Sequence, residues 1–275
     1  MRARFEGWYY KHQAGDRGFA IIPGRAKDHA FVQVVTLDQA YHITYPRSAY
    51  QKTDILRVGA NTFSTSGVTL DIHRPELTLT GEIRYTNLTP IRGDIMGPFQ
   101  YFPMECRHGV DSMNHSLSGT VTLNGTPIDF TGGQGYIESD SGRSFPSGYT
   151  WVQCNDFAAD CSIMAAVAWI PFYGLRFRGC ICVVHFNGRE YRLATYNGVK
   201  IRRCAPGSIE LQRGKYRLQI IIDTRSGLSL PAPRGGAMSH TIRETLFTAA
   251  RFRFTEGNRI LFDEQSKHAS YEYEL

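Results

Sequence analysis

The sequence lacks the features that would assign it at once to a membrane, secreted or helical class. Its most apolar run, Ile163 to Ile170, has eight residues, whereas a membrane-spanning helix needs about twenty. The stretch MRARFEGWYY contains no apolar core of the kind found in a secretory signal. No apolar stripe with a 3.6-residue period extends beyond about three helical turns. We therefore expect no membrane span, no export signal and more strand than helix.

Cysteine pairs with metal-binding or redox spacing are also missing. The six cysteines are Cys106, Cys154, Cys161, Cys180, Cys182 and Cys204, and no two of them form a CxxC motif. This pattern argues against a zinc ribbon and against a thioredoxin-type site. Cys180 and Cys182 would share one strand face beside two valines, so we expect buried free thiols. Without an export signal, reduced thiols indicate a cytoplasmic location.

Clustered positive charge is absent, although the chain is basic overall. Its formal net charge is +6 and its pI is near 9.0, but the lysines and arginines are spread along the chain. A nucleic-acid groove would need clustered basic residues interleaved with exposed aromatic side chains. We predict no nucleic-acid partner. Weak attraction to an anionic membrane surface stays open, so the location is cytoplasmic or membrane-peripheral.

What the chain does contain is a repeated series of β-strand patterns. A glycine followed by an aromatic strand with a tryptophan occurs at residues 5–10 (FEGWYY) and again at 148–153 (GYTWVQ). An apolar strand ending in Ile-Pro follows each of them, and a second apolar strand comes next at 31–35 and at 180–184. Three landmarks at nearly one offset predict a duplicated β domain.

The predicted fold is therefore all-β. A glycine–aromatic–tryptophan first strand is typical of a lipocalin-like barrel, and 275 residues are enough for two. We predict two antiparallel lipocalin-like β-barrels in tandem, residues 1–140 and 141–275, with a cleft at or near their junction. Asn124-Gly125 and Asn187-Gly188 are predicted hairpin turns. The segment 229–236 (SLPAPRGG) is predicted to be a loop without core residues.

One stretch, residues 135–157 (GYIESDSGRSFPSGYTWVQCNDF), concentrates polar chemistry on strand faces. Tyr136, Glu138 and Asp140 alternate, so a strand would place all three on one face. After a loop broken by glycine and proline, a second alternating set follows, consisting of Tyr149, Trp151, Gln153 and Asn155. Together they could form a pocket for an apolar ligand with a few polar anchors. The alternative is a polar strand face beside a solvated hairpin.

A second unusual segment is residues 98–119, which contains several side chains that can bind metals. These are Glu105, Cys106, His108, Asp111 and His115. Their spacing matches no compact helix or finger pattern, so we predict no metal site. Histidines in a loop are more often surface residues or hydrogen-bonded groups. Glu105 or His108 could instead form a polar wall of the predicted pocket.

Three segments resemble the corresponding segments of the tocopherol cyclase family. They are FEGWYYK at 5–11, the whole stretch 135–157, and CVVHFNGREYRLATYNGVKIR at 182–202, with a weaker similarity in LPAPRGGAM at 230–238. The similarity follows one order along nearly the whole chain. It implies two lipocalin-like barrels, as in the related carotenoid hydratases and natural-product cyclases. It also implies a compact bacterial-type member without the transit peptide and long insertions of the plant enzymes.

The chemistry that this resemblance implies is a redox-neutral ring closure without a metal or organic cofactor. A prenylated hydroquinone is protonated at its alkene, and the phenol oxygen captures the tertiary cation. The acid must stay protonated until use, which burial and a neighbouring carboxyl favour. Glu138, with Asp140 two residues on, fits this role. Tyr136, Trp151, Trp8 and Tyr10 are candidates for the substrate-binding wall, joined by Gln153 and Asn155, and Glu105 or His108 could orient the phenol.

The chain also departs from the family motif, which in the plant enzymes reads roughly Glu-Lys-Asn-Trp-Gly. Here the same positions read Glu138-Ser139-Asp140-Ser141-Gly142. The resemblance carries over Glu138 and Gly142, whereas Asp140 as a catalytic residue depends on the strand argument alone. Two other functions stay open. One is a lipocalin-like protein that binds an apolar ligand without catalysis, and the other is an alkene hydratase in which water traps the same cation.

Overall fold

The computed structural model describes residues 4–172, 174–224 and 227–274. These residues form antiparallel strands joined by turns and three short 3₁₀ helices, at Arg47–Ala49, Gly97–Tyr101 and Thr195–Asn197. The strands are β1 (Phe5–Ala14), β2 (Arg17–Arg25), β3 (His29–Val35), β4 (Ala40–Pro46), β5 (Tyr50–Lys52), β6 (Leu56–Val58), β7 (Asn61–Ser64), β8 (Gly67–Arg74), β9 (Leu77–Thr86), β10 (Cys106–Leu123), β11 (Thr126–Asp129), β12 (Gln134–Gly142), β13 (Tyr149–Cys154), β14 (Cys161–Phe172), β15 (Leu175–Phe186), β16 (Arg189–Arg192), β17 (Lys200–Ala205), β18 (Ser208–Arg213), β19 (Tyr216–Ile222), β20 (Leu228–Arg234), β21 (Ala237–Glu256) and β22 (Arg259–Glu274).

The first sheet is a meander in which the first strand pairs with the last long one. Its order is β4-β3-β2-β1-β12-β10-β9-β8-β7-β6-β5, with β11 on β10. In β8 every second residue is apolar and buried, as shown by Val68, Leu70 and Ile72. Because successive strand residues point to opposite faces, these side chains meet on one side of the sheet. They form one core that includes Tyr10, Phe63 and Leu117.

The second sheet repeats this arrangement. Its order is β16-β15-β14-β13-β22-β21-β19-β18-β17, with β20 on β21. The landmarks of the sequence repeat occupy equivalent places, because β13, β14 and β15 stand to this sheet as β1, β2 and β3 stand to the first. It encloses a separate core built around Val152, Ile163 and Phe252. The prediction of two lipocalin-like antiparallel β-barrels is confirmed.

The chain divides into two compact units. The first contains residues 1–91, 108–144 and 230–241, and the second contains residues 92–107, 145–229 and 242–275. The domain boundaries proposed from sequence, 1–140 and 141–275, stay a prediction. In the part of the chain that the structure describes, no helix is long and apolar enough to cross a membrane.

Several local expectations can be compared with the strands directly. Asn124-Gly125 and Asn187-Gly188 both have positive φ angles at the two turn positions and connect hairpins, as predicted. Four of the six cysteines are buried and all six are free thiols. The prediction of a loop at 229–236 is wrong, because β20 covers most of it and both Leu230 and Ala232 are buried. Two prolines concealed this strand, which lies off the main path of its sheet.

Gly135 of β12 provides a test of packing in the first unit. A Cβ atom at this position would lie 2.3 Å from His115 Nε2 and 2.9 Å from the carbonyl oxygen of Lys11. We expect Gly135→Ala to lower the free energy of unfolding by about 1–3 kcal/mol, because neither neighbour can move without disturbing the sheet. Gly7→Ala is the matched control, since its Cβ would find no atom closer than 3.7 Å. Urea unfolding of both variants measures the difference, and equal stabilities would contradict this packing.

Candidate active site

The register between β1 and β12 separates the candidate residues into two sets. Tyr9 lies opposite Glu138, Lys11 opposite Tyr136, and Gly7 opposite Asp140. These residues share one face of the sheet, and the intervening residues share the other. The other face is the core side, because Tyr10 and Ile137 both belong to the apolar core. The predicted alternation of Tyr136, Glu138 and Asp140 on one strand face is therefore present, and that face points away from the barrel core.

A histidine from the neighbouring strand joins this face. β10 lies beside β12 in the sheet and supplies His108. Its Nδ1 atom is 3.0 Å from Asp140 Oδ1, and its Nε2 atom is 3.2 Å from Glu138 Oε2. The imidazole thus stands between two carboxylates, with one ring nitrogen directed to each. The contact with Asp140 has hydrogen-bond geometry, whereas the contact with Glu138 is an ion-pair distance.

A second side chain contacts the same carboxylate oxygen of Glu138. The hydroxyl of Tyr136 donates a hydrogen bond to Glu138 Oε2 at 2.6 Å. Tyr136 is fully buried and Glu138 is 5% exposed. The side chain of Asp140 is more open, at 25% exposure compared with 7% for that of Glu138. The cluster therefore has a buried end at Glu138 and an end nearer to solvent at Asp140.

Burial and charge act in opposite directions on the histidine. Burial alone lowers the pKa of His108, but the negative charges of Asp140 and Glu138 outweigh it, and its pKa is raised well above the usual value. Burial, with the charge of Glu138, raises the pKa of Tyr136 well above the usual value for a phenol. At neutral pH the imidazole is therefore a cation and Tyr136 is a neutral hydrogen-bond donor. The cationic ring lies between the two carboxyl groups, 3.0 Å from Asp140 and 3.2 Å from Glu138.

The same three side chains have the composition of a metal site. One ligand atom from each of His108, Glu138 and Asp140 lies within 4.8 Å of the others, and no other group of this kind occurs among the described residues. In the observed arrangement each ring nitrogen faces a different carboxylate. This arrangement suits a protonated imidazole held by two anions, and it makes the cluster a store for protons.

Two residues predicted as part of the binding wall lie on the other side of the same strand. Trp8 and Tyr10 alternate with Tyr9 and so occupy the core side of β1. Tyr10 is buried in the core of the first barrel, and the ammonium of Lys52 lies 4.1 Å from the Trp8 ring centroid. The structure therefore does not bring either of them to the face that carries Glu138.

The remaining predicted residues belong to the second unit. Trp151 and Gln153 alternate along β13 and so share one of its faces, whereas Asn155 follows the end of the strand at Cys154; all three are buried. The Nε2 amide of Gln153 donates to Asn155 Oδ1 at 3.2 Å. Glu105 precedes β10 and is half-buried. Their roles as substrate-binding residues, and that of Glu105 in catalysis, stay predictions.

We call the sheet face that carries Glu138 and Asp140 the acid face. Sequence reasoning missed two residues on it. Tyr9 and Lys11 are both buried there, opposite Glu138 and Tyr136 respectively. The period of two in β1 separates Tyr9 and Lys11 from Trp8 and Tyr10, but periodicity does not say which set faces Glu138. Only the pairing register decides this, and the register depends on the whole sheet.

The segment around His108 was also misjudged. The expectation that its histidines lie in a loop is wrong, because β10 is one strand that begins at Cys106 and contains both His108 and His115. Alternation along it sends His108 to the acid face, whereas His115 contacts the core residue Tyr85 with ring centroids 4.5 Å apart. The polar residues of this strand concealed it, since a strand with buried polar groups on both faces shows no apolar alternation.

Comparisons with known proteins identify the family and agree with the fold. The family model described as tocopherol cyclase-like matches residues 96–274. Among solved structures, kievitone hydratase from Nectria haematococca superposes with a TM-score of 0.59 at 14% identity, covering 98% of this chain and 89% of that chain. CghA in complex with Sch210972 superposes with a TM-score of 0.58 at 13% identity, covering 98% and 88%. At these identities the two structures show a shared fold.

A search of curated protein sequences gives no match. The family assignment does not need one, because the family model spans β10 to β22 and includes His108, Glu138 and Asp140. It covers well over half of the chain. The resemblance seen in the sequence motifs is thereby confirmed, and this protein belongs to the tocopherol cyclase-like family.

Proposed function

We propose that this protein is an intramolecular cyclase that closes a ring by acid catalysis on a prenylated quinol or a related apolar alkene. The observation that carries the proposal is the buried carboxyl of Glu138, which Tyr136 and His108 both contact at the same oxygen. An alkene is a very weak base, so the enzyme needs an acid whose conjugate base is strongly stabilised. The hydroxyl donor of Tyr136 and the positive charge of His108 beside Oε2 supply that stabilisation in a site of low dielectric.

The first step transfers a proton from Glu138 to the less substituted carbon of the alkene. The π electron pair forms the new C–H bond, which leaves a tertiary cation on the substrate and a carboxylate on Glu138. The negative charge that develops on Oε2 is met by the hydroxyl of Tyr136 and the imidazolium of His108. Their interactions strengthen as the charge forms, which is what lowers the barrier.

The second step captures the cation. A lone pair of the phenol oxygen forms the C–O bond, and the phenol proton returns to the carboxylate cluster, so no electrons enter or leave. Asp140, the more exposed carboxylate, can accept this proton and pass it through His108 to Glu138, because each ring nitrogen faces one of the two acids. The imidazole thus connects the outer and inner carboxyls and resets the catalyst.

Aromatic rings on the same face support a cationic intermediate. Tyr136 and Tyr9 flank Glu138, one on its own strand and one directly across on β1. An aromatic face stabilises a nearby cation by about 1–2 kcal/mol when water is excluded. We assign Tyr9 to this role in place of Trp8 and Tyr10.

Product mass tests the reaction class. Cyclisation of a prenylated hydroquinone leaves the molecular mass unchanged, whereas trapping of the same cation by water adds the mass of one water molecule. We expect a product of unchanged mass that has lost its alkene proton signal in NMR spectra. The structural similarity to a protein named kievitone hydratase makes hydration the second candidate. A product heavier by one water molecule would show that the protein is a hydratase, with Glu138 still assigned as the proton donor.

A third candidate is a binding protein without catalysis. Such a protein needs a cavity but no buried acid. The 5% exposure of Glu138 and its contacts with Tyr136 and His108 favour an enzyme, since an ion cluster of this kind costs free energy to bury. An unchanged substrate, recovered in stoichiometric amount from the purified complex after prolonged incubation, would favour binding alone.

Tyr136→Phe isolates the contribution of one donor. The substitution keeps the ring and removes the hydroxyl that stabilises the Glu138 carboxylate. A hydrogen bond to a charged group contributes about 1.5–3 kcal/mol, so we expect kcat to fall about 10- to 100-fold. KM should change little, because the hydroxyl acts on the charge that forms in the transition state. A loss confined to KM would show that Tyr136 only binds substrate.

A further inference from the structure

Half of the strongly exposed large apolar side chains in the described part of the chain lie in two segments of the second unit. In the β14–β15 hairpin, Leu175 is 75% exposed and Trp169 is 41% exposed. In and just after the 3₁₀ helix Gly97–Tyr101, Tyr101 is 81% exposed and Phe102 is 39% exposed. Folding leaves these side chains in water, which is unusual for one local region of a protein.

The two segments are neighbours in space. Phe99 of the 3₁₀ helix stacks on Phe177 of β15 with ring centroids 6.1 Å apart. Phe177 and Leu175 alternate onto one face of the hairpin, so the 3₁₀ helix lies against that face, whereas Trp169, Arg176 and Arg178 share the other face. We call the set of Tyr101, Phe102, Trp169 and Leu175, with Arg176 and Arg178, the hairpin patch.

The charge of the hairpin patch is entirely positive. Arg176 and Arg178 are both exposed, and their guanidinium carbons lie 5.8 and 5.4 Å from the Trp169 ring centroid. Arg176 donates a hydrogen bond to the hydroxyl of Ser147 and Arg178 donates one to the carbonyl of Cys204, and both acceptors are uncharged groups. No acidic residue occurs between Cys161 and Phe186 or between Ile95 and Met104. Asp94, Glu105 and Asp160 lie at the ends of these two segments, and the charge on the exposed side chains of the patch itself is positive, which attracts an anionic surface.

We propose that the hairpin patch docks the protein on the surface of a bilayer that contains anionic lipids. Tryptophan, tyrosine and leucine side chains insert at the headgroup boundary, while arginines bind the lipid phosphates. The net charge of +6 adds long-range attraction. Docking would give the protein access to an apolar substrate dissolved in the membrane. This consequence rests on the proposed function, whereas the docking itself does not.

Vesicle co-sedimentation without substrate tests the proposal. The wild-type protein should sediment with vesicles of phosphatidylcholine mixed with phosphatidylglycerol, and bind pure phosphatidylcholine vesicles at least about tenfold more weakly. Leu175→Asp should abolish the binding. Arg176→Gln combined with Arg178→Gln should weaken it about thirtyfold at low salt. Ile221→Asp is the matched control, because Ile221 is 62% exposed outside the patch, and it should bind as the wild type does.

Three results would overturn the proposal. One is a wild-type protein that does not bind anionic vesicles, and another is equal binding by Leu175→Asp. The third is a protein that does not bind vesicles and that changes from dimer to monomer in sedimentation velocity when Leu175 is replaced. In that case the patch would be the contact with a second copy of the chain. Circular dichroism confirms that each variant is folded. Because no turnover is measured, failure here leaves the proposed reaction untouched, and failure of the reaction leaves the docking result valid.

Discussion

Replacing Glu138 by glutamine should reduce turnover by about 10³-fold or more. Positioned general acids contribute about 10²- to 10⁴-fold, and an alkene has no alternative route to a cation in neutral water. Glutamine keeps the size of the side chain and can still accept the hydrogen bond from Tyr136, but it has no proton acidic enough to transfer. Initial rates with a prenylated hydroquinone measure the effect.

The matched control is Glu82→Gln. Glu82 lies on β9 of the same barrel, is half exposed and pairs with Arg84 at the surface. We expect this variant to retain wild-type activity. Circular dichroism and thermal unfolding should show both variants folded. Full turnover by a folded Glu138→Gln protein would remove Glu138 as the acid.

The second large effect concerns stability and arises inside the first barrel. His12 of β1 and His115 of β10 both lie beside Tyr85, and His12 Nε2 is 2.5 Å from the Tyr85 hydroxyl. Burial lowers the pKa of His12 to about 3, with a further contribution from His115. Burial also lowers the pKa of His115 to about 3. Both histidines are therefore neutral in the folded protein at any pH above about 4.

Their effect on stability has a definite sign. Unfolded histidine has a pKa of about 6.5, so between pH 6.5 and pH 3 the unfolded chain binds protons that the folded chain excludes. The contribution of these two histidines to the free energy of unfolding is fully present above pH 6.5 and falls as the pH drops through this window. From pH 7.5 to pH 5 each of the two histidines should cost about 2 kcal/mol of unfolding free energy.

His108 acts in the opposite direction. Its raised pKa means that its contribution is fully present below pH 6.5 and is lost as the pH rises through its folded value. Acidification from pH 7.5 to 5 therefore recovers stability through this residue, whereas His42, whose pKa burial lowers to about 4, adds to the loss from the two core histidines.

Urea unfolding at pH 7.5 and pH 5 measures these terms. His115→Gln should remove about 2 kcal/mol of the pH dependence, even though it lowers stability at both pH values. His73→Gln is the control, because His73 is exposed at the surface, and its pH dependence should equal that of the wild type. An unchanged pH dependence in His115→Gln would show that His115 titrates normally.

Much of the fold followed from sequence because it depends on local patterns. Turn residues such as Asn124-Gly125 require positive φ angles that few other residues adopt, and they marked hairpins correctly. Repeated landmarks indicated two equivalent sheets, and β1–β3 and β13–β15 do occupy equivalent places. The first part of β10 was missed because its buried polar residues hide the apolar alternation by which strands are recognised, and β20 was missed because of its prolines.

The candidate site could be predicted only in part, for a different reason. Glu138 and Asp140 share a face because they are two residues apart on one strand, which any strand dictates. The third member, His108, comes from another strand, and the aromatic neighbour Tyr9 comes from a third. Which strands lie beside Glu138, and whether Tyr9 or the pair Trp8 and Tyr10 faces it, depends on the pairing register between distant segments. The period of the sequence does not determine this register.

Solvent deuterium labelling is the measurement that most directly tests proton delivery by the cluster of His108, Glu138 and Asp140. With the wild-type protein in heavy water, we predict that the cyclised product carries one deuterium, bonded to the former alkene carbon that did not become the ether carbon. Unreacted substrate should carry none, because the cation is captured faster than it loses a proton. A cyclised product without deuterium at that carbon would contradict alkene protonation and with it the account given for the site.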